Sequence, residues 1–176
     1  MSENTVLLLP HQERFIQSPE LFPDVRWHFL LGGYGCGKTR SLAIATLKLC
    51  LELEGEKDEG GLYAKIVVGG YTYAHLEQTF LIDFRAYLDT SKTPYHEDTK
   101  NHIFTVGTVQ VILVQLLEPG KIFGQSVYAC IVDESDELPE DVMIEAMKSL
   151  SQRCRQIMPN HRAPFLMSAS TAQGMK

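Results

Sequence analysis

Short apolar runs alternate with stretches of helical periodicity along most of the chain. "RWHFLL" (26–31) ends in Gly-Gly and predicts a buried strand that runs into a loop. From Lys38 to about Leu53, "KTRSLAIATLKLCLEL" combines good helix formers with apolar residues at helical spacing. It dissolves into "EGEKDEGG", a solvated acidic loop. "AKIVVGG" (64–70) predicts a second buried strand, and "AHLEQTFLIDFRAYL" (74–88) a helix with Leu76, Phe80, Phe84 and Leu88 on one face. "HIFTVGTVQVILVQ" (102–115) is two β-rich runs about a glycine, the signal of a hairpin. "YACIVDES" (128–135) predicts a buried strand ending in acid, 139–157 a helix with Pro139 in its first turn, and "APFLMSAS" (163–170) a last strand.

Strands alternating with helices imply a mostly parallel sheet covered on both faces. The expected class is α/β, with helices flanking the sheet and a β-hairpin insertion. Ligands on such sheets bind at the carboxyl ends of the strands. Three of the proposed strands end there in polar residues able to do chemistry.

Composition narrows the setting. The 176 residues fit one domain, 1–176, and 44% hydrophobic with 22% charged residues is a globular balance. A net charge of −6 argues against a domain that wraps nucleic acid by its own field, so any DNA contact needs a local patch or another domain. Cys36, Cys50, Cys130 and Cys154 form no C-x-x-C pair, and the six histidines show no paired metal spacing. His75 and Tyr73, which follow a strand end, are the candidates for a position near DNA. The longest apolar stretch, "VQVILVQLL", is far short of the roughly 20 residues of a membrane helix.

Candidate chemistry starts at "GGYGCGKTRS" (32–41). Gly32-x-x-x-x-Gly37-Lys38-Thr39 matches the Walker A pattern and lies between a strand and a helix, where its mechanism needs it. Glycines 32, 33, 35 and 37 allow successive N–H groups to turn inward as an anion nest, and the following helix adds its N-terminal dipole. The nucleotide-binding set is therefore Gly32, Gly33, Tyr34, Gly35, Cys36, Gly37, Lys38, Thr39 and Arg40, with Lys38 reaching the β and γ phosphates and Thr39 on Mg²⁺. In "ACIVDE", Asp133 joins Thr39 as a metal ligand and Glu134 orients and deprotonates the attacking water. "SAST" supplies Ser168, Ser170 and Thr171 as candidates to sense the γ-phosphate and couple hydrolysis to motion, and Gln12 in "PHQERF" has an amide suited to the edge of adenine.

With these motifs in this order, the chain resembles the ATPase domain of a large terminase subunit, the motor that packages viral double-stranded DNA. The segment between the Walker motifs carries the resemblance furthest: "GGYTYAHLEQTF", then the strand, Gly107, the second strand and Gly124 ahead of Walker B. It spans residues 10–174. The resemblance implies a P-loop NTPase of the additional-strand, catalytic-glutamate type, with ATP and Mg²⁺ as cofactors. It further implies portal protein and small terminase subunit as partners, a homo-oligomeric ring when assembled and a monomer when isolated. It places the protein in the host cytoplasm and at the procapsid portal, not in a membrane. A nuclease domain is expected downstream of residues 1–176 in such proteins. Many terminases carry an arginine in the phosphate loop or ahead of the glycine before Walker B. Here Gly33 or Tyr34, and Phe123, stand in those places, leaving Lys121, Arg85, Arg153, Arg155 and Arg162 as candidates for that role. Two other readings stay open: a helicase-like ATPase, and a regulatory module that binds nucleotide without hydrolysing it.

Overall fold

The computed structural model describes residues 7–118, 126–134 and 138–171. Thirteen elements follow in the order α1 (Pro10–Ile16), α2 (Ser18–Leu21), β1 (Trp27–Gly32), α3 (Lys38–Glu52), β2 (Lys65–Gly70), α4 (Tyr73–Gln78), α5 (Phe80–Thr90), β3 (Tyr95–Asp98), β4 (Ile103–Val106), β5 (Val109–Gln115), β6 (Ala129–Asp133), α6 (Glu140–Arg153) and β7 (Phe165–Thr171). They build one seven-stranded sheet in the order β1-β7-β6-β2-β5-β4-β3. The β1–β7, β7–β6, β6–β2 and β2–β5 pairs are parallel, and only the β5–β4 and β4–β3 pairs run antiparallel. The α/β class, the mostly parallel sheet and the hairpin of β4 and β5 are as the sequence predicts. Gly107 has φ +57, the left-handed turn that reverses the chain there.

Period-two alternation sorts the strands between two cores. Ile66 and Val68 pack with Phe15, Leu42, Leu49, Phe80, Phe84 and Met167 on the face covered by α1, α3 and α5. Val67 joins Ile112, Val132, Leu166, Met147 and Leu150 on the face covered by α6. The phosphate-loop helix therefore lies against one face of the sheet, and its start meets the strand tips.

Three expectations change. β1 is not a buried strand: it is the edge of the sheet, and Trp27, Phe29 and Leu31 are exposed while His28 between them is buried. Helix α6 packs on the sheet interior and leaves that face of β1 uncovered. The helix predicted over 74–88 is two, broken at Thr79 (φ −121, ψ −91), although Leu76, Phe80, Phe84 and Leu88 are all buried as expected. Helices α1 and α2 and strand β3 have no counterpart in the sequence reading. Gly124, Phe123 and Lys121 lie outside the described residues.

Candidate active site

Register brings the polar strand ends together. Gly32 at the end of β1 pairs with Thr171 of β7, and Asp133 at the end of β6 pairs with Ala169 of the same strand. β7 thus lies between the phosphate loop and the acidic pair, and all three tips point the same way because the strands are parallel.

The phosphate loop turns through Gly35 (φ +73) and Gly37 (φ +76), the latter left-handed at the cap position before α3. Glycine suits 37 because its φ of +76 strains any residue with a side chain, and a Cβ there would also come within 2.1 Å of the Gln12 side-chain nitrogen and force that amide to move. Gln12 is buried and acts as a strut between α1 and the loop. Its Oε1 accepts from the Leu9 N–H at 2.9 Å, and its Nε2 donates to the carbonyls of Gly37 (3.2 Å) and Cys36 (3.4 Å). The amide expected at an adenine edge is thus engaged by main chain. His11 Nε2 lies 3.2 Å from the same Cys36 carbonyl. Lys38, 7% exposed, donates from Nζ to the carbonyls of Gly33 (2.9 Å) and Gly32 (3.2 Å), so its ammonium lies across the loop. Tyr34 stands out into solvent. Arg40 points toward α5, where its Nε donates to the Tyr87 hydroxyl and its guanidinium lies over the Tyr87 ring.

Thr39 Oγ1 donates to Asp133 Oδ1 at 3.0 Å. The Asp133 carboxyl is buried, and its Oδ2 has no hydrogen-bond partner among the described residues. Its pKa rises to about 7, chiefly because burial penalises the charge and also because Glu134 is adjacent; the Thr39 hydroxyl, His75 and Lys38 pull the other way. An orphaned carboxylate oxygen beside a hydroxyl is a hard-oxygen donor set, the kind Mg²⁺ takes together with phosphate and water oxygens. Among the described residues no group of three or more His, Cys, Asp or Glu could hold a metal on its own.

Glu134 follows with φ +50, left-handed for a residue with a side chain, and its Oε2 is 3.0 Å from His75 Nε2. His75, proposed from sequence as a DNA neighbour, thus sits on the acid. No sequence signal marks this pair, since its halves lie far apart in the chain, one just after β2 and the other just after its parallel neighbour β6. Ser168 is buried mid-strand, level with Val132, while Ser170 and Thr171 lie beyond the level of Asp133. By alternation Thr171 shares the α3 face with Met167 and Ala169, and Ser168 and Ser170 face the other way.

The basic candidates divide by position. Arg162 is paired with Glu20 and lies over Phe165 at the start of β7, and Arg155 bonds Ser126 beside the start of β6. Arg153 ends α6, and its carbonyl accepts from Val127 N. Strands of this length separate these three from the phosphate loop by roughly 15–20 Å, which excludes them as donors to a phosphate in their own chain. Arg85 is held by Glu77 and Glu97, and these two hydrogen-bonded carboxylates raise its pKa.

The fold that carries this phosphate loop and acidic pair matches solved structures. The large terminase of a thermophilic bacteriophage superposes with a TM-score of 0.71 at 12% identity, over 94% of this chain and 39% of that one. This is the large-terminase ATPase fold. The large terminase of bacteriophage HK97 matches at 0.66, with 17% identity over 96% of this chain and 34% of its own. The ATPase domain of the Thermus phage P74-26 large terminase matches at 0.56, with 14% identity over 86% and 61%. The thermophilic phage's terminase has also been solved with ADP and with ATP-γ-S. At these identities the likeness is one of fold, and the chain spans about two fifths of that terminase's length. No protein-family model matches the sequence, and no curated protein matches it.

Proposed function

We propose that this chain is the ATP-hydrolysing motor domain of a machine that drives double-stranded DNA into a viral procapsid. The observation that carries the reading is the Thr39–Asp133 hydrogen bond, which joins phosphate loop and acidic strand into one site. Loop amides and the N-terminus of α3 bind the phosphates. Lys38 trades its carbonyl partners for β and γ oxygens, which neutralises charge that grows as the terminal phosphate leaves. Thr39 and Asp133 would hold Mg²⁺, which when bound would supply charge compensation for the phosphates. Glu134 orients a water in line with the γ-phosphate and takes its proton. The base occupies the cleft of about 370 Å³ beside α1, lined by His11, Phe15, Trp27 and Phe29 among others. Thr171, at the tip of β7 beside Gly32, is the best placed of the three coupling candidates.

Portal protein, small terminase subunit and a homo-oligomeric ring complete the proposed machine. Within that ring a neighbouring subunit supplies the arginine that this site lacks among its described residues. The isolated chain then hydrolyses ATP slowly, and turnover per subunit rises with protein concentration or with portal and DNA. A second reading is a DNA-acting ATPase outside packaging, which the fold match to the restriction-modification enzyme LlaGI supports (TM-score 0.57, 11% identity); that enzyme was solved with a DNA substrate mimic.

Glu134→Gln is the test. It is expected to bind ATP as the wild type does and to abolish turnover. A wild type that binds ATP but never hydrolyses it, even with DNA and portal, supports a passive nucleotide module instead.

A further inference from the structure

We propose that His75 is the positioning residue for Glu134 and that the β3–β4 turn acts on the glutamate through it, an inference that rests on Glu134 being the hydrolytic acid. The left-handed backbone at Glu134 costs roughly 1 kcal/mol and swings its side chain out of the line of β6 toward α4. There Oε2 lies 3.0 Å from His75 Nε2, with both side chains about four-fifths buried (21% and 23% exposed).

The main chain that carries the imidazole is held at both of its polar groups. The Thr72 hydroxyl accepts from the His75 N–H at 3.1 Å, and the Thr79 hydroxyl donates to the His75 carbonyl at 2.9 Å. Threonines at both ends of α4 thus clamp the two main-chain groups of one residue. An incidental surface ion pair, worth about 0–1 kcal/mol, requires no strained partner.

The same short helix reaches the hairpin. Tyr73, two residues before His75, stacks on His102 with ring centroids 3.8 Å apart and planes at 9°. His102 sits in the turn between β3 and β4 with φ +55, and its carbonyl accepts from Leu113 N of β5 at 2.9 Å. A push on this turn therefore has a packed path to the glutamate: His102 to Tyr73, along α4 to His75, and across to Glu134.

Steady-state ATP hydrolysis by the chain with Mg²⁺, alongside equilibrium binding of a fluorescent ATP analogue, tests this. His75→Ala is expected to lower kcat by roughly ten- to a hundredfold, part of the contribution of a well-placed general base, with KM and analogue affinity nearly unchanged. His75→Gln, whose amide N–H can reach the place of Nε2, restores most of the rate. His102→Asn keeps a residue tolerant of left-handed backbone and removes the ring; it slows wild type severalfold and adds nothing in a His75→Ala background. A His75→Ala enzyme as fast as wild type, a Gln variant as slow as Ala, or a matching loss of analogue binding overturns the role of His75. Additive effects of His102→Asn and His75→Ala overturn the path from the turn. A wild type that binds the analogue without hydrolysing ATP even when DNA and portal are added overturns the hydrolytic reading and this inference together, whereas normal wild-type hydrolysis with an unaffected His75→Ala variant overturns this one alone.

Discussion

The hydroxyl of Thr39 donates to the carboxylate of Asp133 across 3.0 Å of space and 94 residues of chain. That bond puts the start of α3 against the end of β6 and presets the two oxygen donors proposed for Mg²⁺. Thr39→Val keeps the shape and removes the donor oxygen. Its affinity for Mg²⁺–ATP, measured by calorimetry, is expected to fall by about tenfold or more, as for loss of a hydrogen bond to a charged group, while affinity for ATP in EDTA changes little.

Burial of Asp133 makes stability depend on pH. Its carboxyl titrates at about 7 in the folded chain against an ordinary value of 3.8, so folding favours the protonated form. The contribution is complete below about pH 4 and is lost as pH rises through about 7. Without nucleotide, wild type is therefore expected to lose stability relative to Asp133→Asn over that window, by at most about 4 kcal/mol. Urea denaturation of both proteins at several pH values checks this, and Mg²⁺–ATP is expected to lessen the difference.

Gln12 offers a choice between two roles. Its amide bonds Leu9, Cys36 and Gly37, so Gln12→Ala is expected to weaken ATP and GTP by the same factor, as a loop that has lost its strut would. A loss confined to ATP in competition binding restores the adenine-reading role. Gly37→Ala meets both the Gln12 side chain and an unfavourable φ, and is expected to abolish binding of either nucleotide.

Trp27 is the single tryptophan and lines the cleft beside α1. Nucleotide entering that cleft is expected to change its emission, with a midpoint equal to the binding constant measured independently. Phosphate or pyrophosphate, which carry no base, are expected to leave the emission unaltered.

Arg162 holds Glu20 and lies near Glu52, and it sits over Phe165 at the end of the sheet away from the loop. Arg162→Leu is expected to cost on the order of 1–2 kcal/mol, less than a fully buried pair because both glutamates are about a third exposed. Turnover per folded molecule should not change. A kcat drop of a hundredfold or more in this variant returns Arg162 to the list of phosphate partners.

Local pattern was enough for what local forces decide. The span of α3, the hairpin about Gly107, the strand before Asp133 and the glycine-lysine loop follow from periodicity, backbone freedom and turn chemistry, each written within a few neighbouring residues. Pairing order is a different matter, because apolar runs look alike whether they end up central or at an edge. β1 read as buried and proved to be the edge, since its place depends on which strands compete for β7 and not on its own six residues. The break at Thr79 and the fate of Arg153, Arg155 and Arg162 likewise depend on which partners packing brings near. So too with the site: sequence determined that a phosphate loop and an acidic pair exist. Only the parallel register of β1, β7, β6 and β2 decided that they meet, and that a histidine from beyond β2 holds the glutamate, because hydrogen bonds act over about 3 Å and the chain reaches such distances only by folding.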